Sequence, residues 1–178
     1  MSRINKSIFM RAMGRQHSSQ LKKGVSLIEV IVGSAIISGV LLSLGLVAEY
    51  SIKVTAIGTE RLQAGYLVIE NMEGLKSIRD MGWTANIAPL TSGMTYYLAY
   101  STTTNTYSAT TTVPALIDGK FTRTFVLYDV YRDANDRIAP SGTLDPNTKK
   151  IFITVTWTSR NKARSETLQT YTSNIFNN

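Results

Sequence analysis

The sequence predicts an α+β fold: one long N-terminal α-helix, membrane-spanning in its first half, packed on a small antiparallel β-sheet. Three observations carry this. Residues 25–47 form an apolar run whose only charge is Glu29. Residues 48–80 contain no proline and keep a helical recurrence of apolar side chains. From Trp83 onward Thr, Ser, Tyr, Asn and Val dominate, with period-two alternation in several stretches.

Residues 1–24 are basic and lack a sustained apolar run. They hold Arg3, Lys6, Arg11, Arg15, Lys22 and Lys23 and no acid. The whole chain carries a formal charge of +7, but removing these six cations leaves 13 basic against 12 acidic residues. The excess positive charge therefore belongs to this segment, and a nucleic-acid partner loses most of its support. The segment cannot bury enough apolar surface to fold by itself and reads as a cytoplasmic leader.

At a rise of ~1.5 Å per residue, the run from Val25 to Val47 spans roughly 33 Å, about the thickness of a bilayer's hydrocarbon core. Lys22 and Lys23 precede it, so the positive-inside rule places its N-terminal side in the cytoplasm and the remainder outside. Gly33, Gly39, Gly45, Ser34, Ala35, Ser38 and Ser43 permit close approach of neighbouring membrane helices. The helix is predicted to continue to residue 82, some 55 residues and roughly 80 Å. Leu67, Val68, Met72, Leu75, Ile78 and Met81 mark its packed face, and Glu60, Arg61, Glu70, Glu73, Lys76, Arg79 and Asp80 much of the other. Glu49–Lys53 and Glu73–Lys76 are favourable pairs at helical spacing, and Gly82 is the expected stop.

Residues 83–178 are predicted to form a β-rich extracellular domain. Strands are expected over Met94–Ser101, Thr106–Val113, Phe121–Tyr131 and Lys150–Thr158, with a turn at Ser159–Lys162 and a return strand from Ala163 to Asn174. Along the third of these, Phe121, Arg123, Phe125, Leu127, Asp129 and Tyr131 share one face. Pro140, Gly142 and Pro146 predict an irregular loop over Arg132–Lys149.

The junction Lys22-Lys23-Gly24-Val25-Ser26-Leu27-Ile28-Glu29-Val30 resembles the cleavage and methylation signal of type IV prepilins, minor pilins and pseudopilins. There a basic leader ending in glycine precedes an apolar helix with glutamate at its fifth position. The physical logic is separable from the resemblance. An ordinary secretory signal loses its apolar run on cleavage, whereas a cut after Gly24 removes the cations and keeps the helix. The resemblance implies cleavage between Gly24 and Val25 by a prepilin peptidase, N-methylation of Val25, and pairing of Glu29 with the new amine of a neighbouring subunit. A carboxylate in a membrane helix costs about 2.5–3.5 kcal/mol near the centre, so a charged partner accounts for its presence better than chance. The stretch Glu70–Trp83, the strand with Val155-Thr156-Trp157 and the segment Tyr171-Thr172-Ser173-Asn174 also look like minor pilins of the PilV-like kind. Many members of the family carry a C-terminal disulfide loop, and this chain has no cysteine.

The implied function is structural: a minor pilin of a type IV pilus-like filament, with a prepilin peptidase, other pilin subunits and, before assembly, the cytoplasmic membrane as partners. The alternatives are a pseudopilin of a type II secretion or competence machine, and an uncleaved single-pass membrane anchor displaying a β-rich binding module. No enzyme and no cofactor are expected. The single histidine, His17, lies in the leader, and no nucleophile–base pair or phosphate loop is present. Asp129, Asp133 and Asp136 are the candidate calcium ligands, against a solvated turn as the plainer reading. Tyr96, Tyr97, Tyr100 and Tyr107 are read as strand formers that could also serve an adhesive surface, and Arg160, Lys162 and Arg164 as a basic hairpin tip.

Overall fold

The computed structural model describes residues 24–178. The leader expected at residues 1–24 lies outside the described residues except for Gly24. The helix is present as α1, Leu27–Asp80, 54 residues long. It is followed by a single turn, α2 (Trp83–Asn86). Six strands follow: β1 (Thr95–Ser101), β2 (Thr106–Thr110), β3 (Thr122–Arg132), β4 (Ile138–Ala139), β5 (Thr143–Ser159) and β6 (Lys162–Ser173). They form one antiparallel sheet in the order β2-β1-β3-β5-β6, with β4 pairing on the end of β3. The α+β arrangement read from the sequence is thus present: one long helix packed on a six-stranded antiparallel sheet.

The chain divides into two units at Ala48/Glu49. In the first, the apolar side chains of α1 are exposed on every side, from Val25 and Leu27 to Leu46 and Val47. It holds the apolar part of α1, the one helix among the described residues that is long and apolar enough to cross a membrane.

The second unit holds the core. Ala64, Val68, Asn71, Leu75 and Ile78 of α1 are buried. Their spacings of four and three residues keep them on one stripe of the helix. The facing side of the sheet contributes Tyr96 and Leu98 from β1, Phe125, Leu127 and Val130 from β3, and Ile151, Ile153, Val155 and Trp157 from β5. Full burial of one such side chain is worth about 1.5–3 kcal/mol. Phe121, just before β3, closes the core beside Trp157, with ring centroids 5.7 Å apart. Sheet and helix approach closely at Gly74, where a Cβ would stand 2.4 Å from Leu98 Cδ2.

Helix α1 stops where Gly82 takes φ 144°, a conformation side chains disfavour. Trp83 then buries its ring and donates its Nε1 hydrogen to the carbonyl of Pro146, 3.2 Å away. Met81, expected on the packed face, is exposed, because the helix ends one residue before it.

Two further expectations are corrected. Residues 143–149 are strand rather than irregular loop, as the first part of the 17-residue β5. Gly142 makes this possible: a Cβ there would stand 2.1 Å from the Arg132 carbonyl oxygen. Pro146 is accommodated at a bulge, where the register jumps from Asp129↔Lys149 to Val130↔Asp145 and no ladder hydrogen bond is asked of its nitrogen. The same bulge breaks the alternation of β3. Val130 is buried and Tyr131 exposed, the reverse of the expected faces.

The β5–β6 hairpin turns through Arg160 and Asn161, both at positive φ (50° and 60°), the two-residue geometry that matches sheet twist.

Gly74 and Gly58 make a contrasting pair. Alanine at Gly58, where a Cβ meets nothing, should raise stability by about 1 kcal/mol. Alanine at Gly74 should lower it by about 1–3 kcal/mol, since overpacking against Leu98 outweighs the propensity gain. Thermal melts of the two variants in detergent should move in opposite directions.

Candidate functional site

Gly24, Val25 and Ser26 lie outside the helix and are exposed. The Ser26 carbonyl accepts the backbone N–H of Glu29 at 2.9 Å and of Val30 at 3.2 Å. Ser26 therefore occupies the N-cap position, and Glu29 the third residue of the helix. Ser-x-x-Glu is the capping-box spacing, in which both side chains can serve the orphan amides of a first turn. A carboxylate here also meets the positive end of the helix dipole. The Ser26–Glu29 spacing was legible in the sequence and its capping geometry was not read from it. Among the described residues, no side-chain hydrogen bond or ion pair engages the Glu29 carboxylate.

Two hydroxyls of the apolar segment that follows are satisfied within the helix itself. Ser34 donates its hydroxyl hydrogen to the Ile31 carbonyl (2.9 Å), and Ser43 to the Gly39 carbonyl (2.8 Å). Such back-bonding lets a hydroxyl exist without water, as a hydrocarbon environment requires.

In the second unit, three ion pairs join α1 to the sheet. The Glu60 carboxylate accepts from Lys120 Nζ at 2.5 Å and from Trp157 Nε1 at 3.3 Å. Arg61 Nε donates to Glu166 on β6 at 3.1 Å. Arg123 of β3, 9% exposed, has its guanidinium 3.0 Å from the Glu70 carboxylate. The sequence reading placed Glu60, Arg61 and Glu70 on the open face of the helix. They stand instead along its boundary with the sheet, where long side chains can reach across. Asn71, fully buried and donating to the Thr124 carbonyl at 3.5 Å, was also missed. The expected Glu49–Lys53 and Glu73–Lys76 pairs are both present.

The candidate calcium ligands do not converge. Asp129 pairs with Lys149. Asp133 accepts the backbone N–H groups of Asn135 (2.8 Å) and Arg137 (2.9 Å), which closes a turn. The Asp136 carboxylate lies 3.6 Å from Arg132, whose stronger partner is Asp145 at 2.7 Å. Burial alone would raise the Asp145 carboxyl, but hydrogen bonds from Arg132, Thr148 and the Asn147 amide leave it below the usual range. Among the described residues no group of three or more His, Asp or Glu side chains could hold a metal ion.

The tyrosines separate. Tyr96 is core, stacked on Phe125, with its hydroxyl accepting the Thr91 N–H at 2.8 Å. Tyr100 and Tyr107 form an outlying pair with centroids 5.0 Å apart. Of the basic tip, Arg160 and Lys162 are exposed and Arg164 is half-buried.

No protein-family profile, curated protein or solved structure matches this chain.

The Lys120 ammonium holds the Glu60 carboxyl below its ordinary value of 4.5. A depressed folded-state pKa gives stability that is present above the unfolded value and lost as pH falls through the folded one. Melting temperature should therefore fall as pH drops below about 4.5. Glu60→Gln should flatten that acid limb and lower the melting temperature at pH 7. An unchanged acid limb would show that Glu60 is not a contributor.

Proposed function

We propose that this chain is a structural subunit, a minor pilin, of a type IV pilus-like filament, cut after Gly24 and assembled through its N-terminal helix. The observation that carries the reading is α1 itself. Its first part is apolar and uncovered with a single carboxylate in the first turn, and its later part presents only one buried stripe to the sheet. A globular protein has no use for fourteen exposed large apolar side chains between Val25 and Val47. A membrane accounts for them before assembly, and neighbouring subunits account for them afterwards.

The N-terminal geometry supports processing. The Gly24–Val25 bond lies ahead of the helix cap, so a peptidase can take it in extended form without unwinding α1. Cleavage creates an amine four residues from Glu29, on the chain segment leading into the helix. Within one subunit the carboxylate stands in the first turn, at the positive end of the helix dipole; between subunits it can meet the amine of a neighbour. Such a pair, removed from water, would favour docking in one register, because a displaced carboxylate would be left unpaired in an apolar medium.

The test is co-expression with a prepilin peptidase, followed by intact-mass measurement of the membrane-extracted protein. The expected product lacks residues 1–24 and carries one methyl group on Val25. Gly24→Leu should leave the chain uncut. Glu29→Ala should be cut normally but recovered in sheared filaments at least tenfold less than wild type. A full-length mass in the presence of active peptidase would favour the uncleaved membrane-anchored module instead.

A further inference from the structure

The basic tip of the β5–β6 hairpin is a motif that the filament reading leaves unused, and the fold gives it a definite place. Within the second unit, β5 runs back along α1. Leu75 and Arg79 of the helix line a narrow cleft together with Ile151 and Thr170 of the sheet, whereas Trp157 reaches Glu60 and Glu166 reaches Arg61. The turn at Arg160–Asn161 therefore lies past Glu60, at the end of the unit where α1 enters it. The Glu49 carboxyl is held below its ordinary value of 4.5, first by Lys53 and more weakly by the charge of Arg160. Glu49 follows Val47, the last residue of the apolar run, by two positions. With that run in a bilayer, Glu49 stands within one helical turn of the hydrocarbon boundary. Chain continuity alone then keeps this end of the unit near the headgroups, whatever the angle of the helix.

The charges at this end do not cancel. Lys53, Arg61 and Lys120 are taken up by Glu49, Glu166 and Glu60. Arg160, Lys162 and Arg164 have no ion pair among the described residues, and the Arg164 Nε is buried without an acceptor. Against these three cations stands one unpaired acid, Asp118. Beside the tip, Leu116 is 54% exposed. It lines a depression of about 540 Å³ together with Lys120, Thr158, Arg164 and Ser165. Val113, three residues earlier, is also exposed. An apolar side chain is thus presented among cations and hydroxyls, the combination that suits the boundary between headgroups and acyl chains.

We propose that this end of the domain, the β5–β6 tip with Leu116 beside it, docks on anionic phospholipid headgroups of the membrane its helix enters. Charge complementarity and tethering select this occupant. Arg160, Lys162 and Arg164 meet the lipid phosphates, and Leu116 enters the acyl boundary. A tethered site meets its own bilayer at an effective concentration that a soluble anion does not match. A nucleic acid calls for a longer array of cations than these three. The docking rests on the apolar segment spanning a membrane. It is independent of cleavage after Gly24 and of filament assembly.

The test uses the full chain reconstituted in nanodiscs. The chain has no cysteine, so Leu116→Cys carries a single environment-sensitive fluorophore. Its emission should shift to the blue by about 10 nm in discs one-third phosphatidylglycerol relative to discs of phosphatidylcholine alone, and about 0.5 M salt should reverse most of the shift. Ala134→Cys, in the β3–β4 turn at the other end of the sheet, should show no shift. Arg160→Gln with Lys162→Gln should at least halve the shift at position 116, and adding Arg164→Gln should abolish it. Arg160 and Lys162 are exposed, so the double variant keeps the test decisive should the triple variant fold poorly. No shift at position 116, or a shift indifferent to the double variant, would overturn this inference alone. So would an equal shift in phosphatidylcholine discs on adding inorganic phosphate or single-stranded DNA, since the site would then serve soluble anions. A chain that does not co-elute with the discs would overturn the membrane reading as well.

Discussion

The second unit depends on how one stripe of α1 meets the sheet. Ala64, Val68, Asn71, Leu75 and Ile78 carry the contact, and the residues flanking them decide its character. Gly74 lets the helix approach β1, and Glu60, Arg61 and Glu70 grip β6, β3 and the residues leading into β3. Apolar burial supplies the affinity of helix for sheet but sets no unique sliding position along it. Charged pairs at fixed spacings do, because a shift of one helical turn would leave Arg123, itself nearly buried, without its carboxylate. Trp157 joins the two kinds of contact, with its ring in the core and its indole N–H on Glu60.

The far side of the sheet answers to other forces. A sheet packed on one side by a helix has its inner positions dictated by the core, and its acids pair across strands, Asp129 with Lys149 and Asp145 with Arg132, or with the helix, Glu166 with Arg61. The outer positions are left to strand propensity and solvent, and threonine and tyrosine satisfy both.

The sequence was most legible where periodicity is strongest. The helix, the β5 core of Ile151, Ile153, Val155 and Trp157, and the hairpin at Arg160–Asn161 follow directly from spacing and turn chemistry. What was lost depends on contacts distant in sequence. Residues 143–149 read as loop because proline and glycine signal breaks locally, yet the bulge that houses Pro146 exists only when β5 lies against β3. Asn71 and Arg123 are polar residues in buried places, justified by the Thr124 carbonyl and by Glu70, which no one-dimensional pattern reveals. Of the candidate site, Gly24, Val25 and Glu29 were singled out by sequence spacing alone, whereas the dispersal of Asp129, Asp133 and Asp136 among separate partners was not legible there.

Glu29 draws the two levels together. In the first turn of α1 its carboxylate gains from the partial positive charge of the helix dipole. Gains of this kind are available to any isolated subunit, so they explain why the residue can be tolerated at the head of an apolar helix. They do not explain why the following eighteen residues carry no second polar group beyond serines that bond to their own helix or stand at small-residue positions. A segment built only to anchor would accept charges near either end, where long side chains reach the interface. A segment built to pack against copies of itself would exclude them and keep glycine, alanine and serine on its surface. The composition from Val30 to Val47, with Gly33, Gly39 and Gly45 among its small residues, fits the second requirement, and this is the physical ground on which the filament reading rests.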